Sequence, residues 1–139
     1  MFLLKKKDLI IISNLFDFKI ITDKQKNEYV IFRENIINDI DNISDKTQFE
    51  ALENHIHLCD DVKRKDLKEL SLIGQNIGQA LFYTLKSTFP QKDFIVYVSI
   101  TVGDSMIIRF HQKWQNEYLF YEGSESSLPD EIILKYEDA

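Results

Sequence analysis

The stretch "DFIVYVSITVGDSMIIRFHQKW", residues 93–114, decides the fold. Phe94, Val96, Val98 and Ile100 alternate with Ile95, Tyr97, Ser99 and Thr101. That is the period of a strand, whose successive side chains point to opposite faces. Gly103-Asp104 supplies a hairpin turn. On the return strand Met106, Ile108 and Phe110 share one face, and Ile107, Arg109 and His111 share the other. The first face is apolar and needs a covering layer. The second is semi-polar, so partial cover is expected for it.

The covering layer lies just upstream. In "DLKELSLIGQNIGQALFYTLKSTF", residues 66–89, Leu70, Ile73, Ile77, Leu81 and Leu85 recur every three or four positions. This predicts a long helix laid on a core, ended by Pro90. Gly74 and Gly78 lie one turn apart inside it. Interior glycine costs about 1 kcal/mol relative to alanine, and close packing against a sheet is the expected return.

Further out the signals weaken. Thr47 and Glu50 of "TQFEALENHI" match a capping box, which predicts a helix ending near His55 to Leu58. Residues 5–16 read as a first helix with Leu9, Ile12, Leu15 and Phe16 on one side. Residues 17–43 admit two readings. One is a hairpin of Phe18–Thr22 and Glu28–Arg33 around "DKQKN"; the other is a helix capped by Thr22. The contiguous β-branched and aromatic residues at 29–32 favour the hairpin. "EYLFYE", 117–122, is a candidate third strand after a turn at Gln115-Asn116. "GSESSLPDE" reads as a loop, and the segment after Pro129 as either a short helix or a strand over "IILKY". The sum is one α+β domain over 1–139, an antiparallel sheet with the 66–89 helix on one face.

The chain of 139 residues is 44% hydrophobic, with one cysteine and a net charge of −6. That is ample material for a core, and it excludes an internal disulfide framework. The N-terminal "MFLLKKKDLIIISNLFDFKII" has no small-residue cleavage site, and its apolar run is broken by Asn14, Asp17 and Lys19, so neither a signal peptide nor a bilayer span is expected. A cytoplasmic protein is the expectation. The charge is uneven. Residues 34–61 carry eight acidic side chains and one basic, Lys46; residues 117–139 carry seven acidic and one basic, Lys135. Such a field disfavours phosphate binding and suits a basic partner; ordinary solubility also accounts for it.

Two clusters could carry chemistry. "ENHIHLCDD", 53–61, gathers His55, His57, Cys59, Asp60 and Asp61. A metal needs three or four converging ligands. If a helix runs through His55, the two histidines diverge by about 200°; they would then serve the helix C-terminus rather than a metal. "RFHQKWQNEYLFYE", 109–122, mixes Arg109, His111, Trp114, Glu117 and Tyr118, residue types favoured at binding hot spots, although the aromatics also suit a core edge. Cys59 has no recognisable activating base, and no nucleophile elbow, phosphate loop or paired-histidine zinc motif occurs.

"FEALENHIHL" (49–58), the long helix and "VYVSITVGDSMIIRFHQKWQNEYLFYE" (96–122) together resemble the immunity proteins of contact-dependent growth inhibition and other polymorphic toxin systems, over about residues 45–122. The resemblance implies a non-enzymatic inhibitor that binds the toxin domain of an exported effector, often a nuclease, and occludes its active site. No catalytic residue, metal or cofactor follows from it. The expected contacts are Glu53, His57, Asp60 and Asp61 on one edge and Trp114, Glu117 and Tyr118 on another, toward a basic toxin domain, with no nucleic acid or membrane bound directly and a monomer or weak dimer in solution. Two other readings stand beside it: a small metal- or ligand-dependent enzyme using His55, His57 and His111, and a self-assembling regulatory module pairing strand 106–121 across a dimer.

Overall fold

A computed structural model describes residues 5–121 and 130–138. The fold is α+β. The hairpin forms as the alternation dictates, with β4 (Phe94–Thr101) antiparallel to β5 (Met106–Gln112) and Val98 opposite Ile108. Gly103 takes a left-handed φ of 84° in the turn, a conformation glycine adopts without steric penalty. Two further strands complete the sheet. β3 (His55–Cys59) pairs with β5, and β6 (Glu131–Glu137) pairs with β4, giving the order β3-β5-β4-β6, antiparallel throughout. "IILKY" is therefore strand.

Helix α3 (Leu67–Thr88, 22 residues) lies across β4 and β6. Leu81 and Leu85 are fully buried under it, together with Val96, Val98, Ile100, Ile108 and Phe110 of the sheet. The helix sits so close that its glycines are part of the contact. A Cβ on Gly78 would stand 2.5 Å from the Tyr136 ring and 3.0 Å from Val98; one on Gly74 would stand 3.0 Å from Val98 and 3.4 Å from the Met106 sulfur. Gly78→Ala should therefore lose about 1–2 kcal/mol, overpacking outweighing the gain in helix propensity. Gly74→Ala meets a stiff, buried Val98 methyl at 3.0 Å and the more adaptable Met106 sulfur, so its loss should be smaller than that of Gly78→Ala. Urea midpoints of the two variants check this; a Gly78→Ala protein as stable as the parent would refute the close approach.

The N-terminal hairpin is β1 (Phe18–Thr22) and β2 (Glu28–Phe32), in register Phe18 to Phe32. Phe110 joins it to the main sheet, with its ring edge-on to Phe18 at 5.7 Å and to Phe32 at 5.2 Å. Helix α1 (Lys6–Leu15) buries only Leu15; Leu9 and Ile12 remain half exposed, contrary to the apolar stripe read from the sequence.

Three other expectations are overturned. Helix α2 (Lys46–Glu53) is capped by Asp45, whose side chain accepts from the Gln48 amide at 2.9 Å. Thr47 and Glu50 are both buried and are bonded elsewhere. The helix stops before His55, and His55–Cys59 is a strand because it pairs with β5. Residues 117–121 form no strand; Glu122 lies outside the described residues. Instead this segment folds over the second face of the sheet. The Tyr121 ring meets Tyr97 at 4.8 Å, and Phe120 stacks on the Arg109 guanidinium at 4.7 Å. Ile95, Tyr97 and His111 are consequently fully buried, while Thr101, Ile107 and Arg109 on the same face stay half-buried, in keeping with the partial cover expected of it.

Candidate functional site

Two polar constellations stand out, one inside and one outside. The inner one starts from α2. Glu50 has no exposed surface. Its carboxylate accepts four hydrogen bonds: from the Val30 amide at 3.0 Å, the Gln112 amide at 2.8 Å, Gln112 Nε2 at 2.8 Å and Trp114 Nε1 at 2.7 Å. One turn on, Asn54 accepts from the Phe32 amide and donates to the Val30 carbonyl, while its own carbonyl accepts from the Phe110 amide. Residues i and i+4 share a helix face, so α2 presents both side chains to β2 and β5. They fill the hydrogen-bonding role of a strand between two sheets that do not pair directly. Burial lifts the Glu50 carboxyl to about 7, against the pull of its four donors.

His111 belongs to the same interior. Its Nδ1 lies 2.7 Å from the Gln112 carbonyl, so Nδ1 donates; Nε2 then accepts from the Tyr97 hydroxyl at 3.1 Å and the Phe120 amide. Burial pushes this imidazole down to about 4, as suits a ring whose second nitrogen faces only donors.

Trp114 and Glu117, expected at a partner surface, are tied into this scaffold. Trp114 stands against Tyr29 at 5.3 Å and under the Lys46 ammonium. Glu117 caps the start of α2 through the Thr47 amide and hydroxyl, both at 2.7 Å, and pairs with Lys46 at 3.1 Å. Burial raises its carboxyl, but the bonds from Thr47 and Lys46 outweigh that and hold it below the usual range. Of that group only Tyr118 is free at the surface, 83% exposed, beside a shallow cavity of about 260 Å³ lined by Asp45, Thr47, Gln48 and Phe120. The expected second edge is thus one exposed tyrosine on a structural frame.

The outer constellation is β3 and the turn after it. Because 55–59 is extended, His55 and His57 point to one face rather than diverging, with ring centroids 5.7 Å apart. Both are exposed. His55 Nδ1 lies 2.6 Å from the Leu52 carbonyl, and His57 Nδ1 lies 2.8 Å from Asp60. The side chains of Asp60 and Asp61 are 70% and 81% exposed. Glu53 is half-buried at the other end of the strand. His57 stands opposite Ile107 on β5. His111 is four residues further along, about 13 Å away at a strand's rise, and buried. The three histidines therefore share no ligand shell, and among the described residues no group of three or more His, Cys, Asp or Glu side chains is placed to hold a metal.

On the opposite side of the sheet, Ile11, Ile12, Leu58, Ile73, Ile77 and Met106 line an apolar groove of about 410 Å³ between α1, α3 and β3. Among the described residues no helix is long and apolar enough to cross a membrane. Neither a protein family, nor a characterised protein, nor a solved structure matches this chain.

Proposed function

We propose that this chain is a protein-binding inhibitor that neutralises a basic partner, in the manner of the toxin-immunity proteins it resembles. The observation that carries this reading is the exposure of Asp60 and Asp61 beside His57 at the end of an outer strand. Six acidic side chains of the 34–61 segment (Glu34, Asp39, Asp41, Asp45, Asp60 and Asp61) are exposed, whereas Glu50 is spent inside. A surface of this sign attracts a cationic domain and disfavours phosphate backbones. A nuclease toxin, which must itself bind a polyanion, is the partner class that fits best. Covering its cationic cleft would block its substrate.

The test begins with the neighbouring gene: where it encodes a large exported protein with a variable C-terminal domain, that domain is co-expressed with this chain, co-purified and assayed for activity. A stoichiometric, inactive complex is expected. The double variant Asp60→Lys, Asp61→Lys should slow association about tenfold or more at low salt and flatten its salt dependence, since charges at an interface act chiefly on encounter. Unchanged association kinetics and unchanged salt dependence would remove the acidic edge from the interface.

A further inference from the structure

We infer that the outer edge of β3 receives an extended, lysine- or arginine-bearing segment of the partner as an added strand. This rests on the proposed binding role and specifies how recognition is made. Among the described residues β3 is the last strand on its side of the sheet. The Phe110 amide donates to the Asn54 carbonyl, which fixes the alternation of the ladder. The Asn54 carbonyl and the backbone groups of Ile56, which pairs with Ile108, turn to β5, so up to the register shift between His57 and Cys59 the residues His55 and His57 turn theirs outward. Four backbone groups, two N–H and two C=O, thus point away from β5 on a five-residue strand whose register shifts after His57. An added strand satisfies them while its alternate side chains read the flanking surface.

Charge selects the occupant. Asp60 and Asp61 stand at one end of this edge and Glu53 at the other. A second copy paired antiparallel about His57 would bring the Asp60–Asp61 turn of each copy toward the α2 end of the other, where Glu53 lies, and like charges brought together disfavour such a contact. A cationic strand meets Glu53, Asp60 and Asp61 instead, with Lys63 beside Asp61 as the opposing charge at that end. The other outer strand contrasts with this. Near its end Glu137 is paired with Lys113 at 2.6 Å and Asp138 with Lys86 at 2.5 Å. Those two acids are answered by the chain's own lysines, whereas the ion pair of Asp61 among the described residues is a 3.9 Å contact with Lys63. The alternative reading, pairing of strand 106–121 across a dimer, does not fit this topology, since β5 is an interior strand and residues 113–121 form none.

The probe is an acetylated, amidated heptapeptide alternating lysine with threonine and valine, titrated into the isotope-labelled full chain. Amide exchange at His55 and His57 should slow at least tenfold at saturation, with binding weakened by salt. A glutamate-for-lysine peptide should not bind. His57→Pro removes one outward N–H at a position where an edge strand tolerates proline; it should weaken peptide binding at least tenfold with the urea midpoint unchanged. No binding up to millimolar peptide, or binding without protection at His55 and His57, overturns the inference. The two proposals fail separately. A toxin complex that is sensitive to Asp60→Lys, Asp61→Lys but indifferent to His57→Pro keeps the function and discards strand addition. Peptide binding without any basic protein partner does the reverse.

Discussion

Glu50→Ala is expected to cost about 4–5 kcal/mol, a large share of the roughly 5–15 kcal/mol that holds a domain folded. The reason is the number of donors left behind. Val30 N–H, Gln112 N–H, Gln112 Nε2 and Trp114 Nε1 all end on this carboxylate, and a buried donor without an acceptor costs about 1–3 kcal/mol. Water entering the vacated space would recover part of the sum, which keeps the estimate below four full penalties. The loss is also architectural, because Glu50 and Asn54 carry the polar connection between the β1–β2 hairpin and β5. Glu50→Gln keeps one acceptor oxygen and turns an amide toward the remaining donors, so about 2–3 kcal/mol is expected there. Urea unfolding followed by Trp114 fluorescence reads both. A Glu50→Ala protein within 1 kcal/mol of the parent would mean that the carboxylate does not join the sheets.

This connection shows where the sequence was legible and where it was not. The β4–β5 hairpin and α3 were readable because each writes its own period over eight or more residues, and burial on one face enforces that period. The β1–β2 hairpin was readable from the β-branched and aromatic run at 29–32. β3 was not. Thr47 and Glu50 have the spacing of a capping box, which extended the helix on paper through His55. The true cap is Asp45, and α2 ends at Glu53 because Asn54 is drawn to the backbone of β2. Whether five residues become a strand depended on β5, about fifty positions away, and no local pattern records that pairing. Glu50 had the same problem in another form. In an acidic run it looks like one more surface carboxylate, and only the arrival of Val30, Gln112 and Trp114 makes it a buried one. Trp114 and Glu117 were read as partner contacts from residue type alone, which does not reveal that they also hydrogen-bond Glu50 and Thr47 within this chain. The exposed pair Asp60–Asp61 was legible because charge density needs no tertiary information.

The buried pair of Glu50 and His111 leads to the second large effect, a stability profile that is flat for an unusual reason. Glu50 rises from 4.5 to about 7 on folding. Between those values the folded chain holds a proton that the unfolded chain lacks. Its contribution is complete below pH 4.5 and is lost as pH rises through 7. His111 falls from 6.5 to about 4. Between those values the folded chain lacks a proton that the unfolded chain holds, so its contribution is complete above pH 6.5 and is lost as pH falls through 4. From pH 4.5 to 6.5 the two uptakes cancel, and the parent protein should change little. The groups around them keep that window clear. Tyr29, raised by burial and by its bond to Asp23, titrates far above it, and Glu117, held low by Thr47 and Lys46, titrates below it. Glu50→Gln should expose the histidine alone, losing about 3 kcal/mol as pH drops from 6.5 to 4.5. His111→Gln, which can still donate to the Gln112 carbonyl, should expose the carboxylate alone and lose about 3 kcal/mol as pH climbs from 4.5 to 7. The measurement is a set of urea midpoints at half-unit steps of pH, and the shapes of the curves matter more than their offsets. Two variants sloping in opposite directions around a level parent is the expected result. A parent that itself slopes by more than about 1 kcal/mol per unit across this window, or a flat Glu50→Gln profile, would show that the two buried groups do not exchange protons in opposite senses on folding.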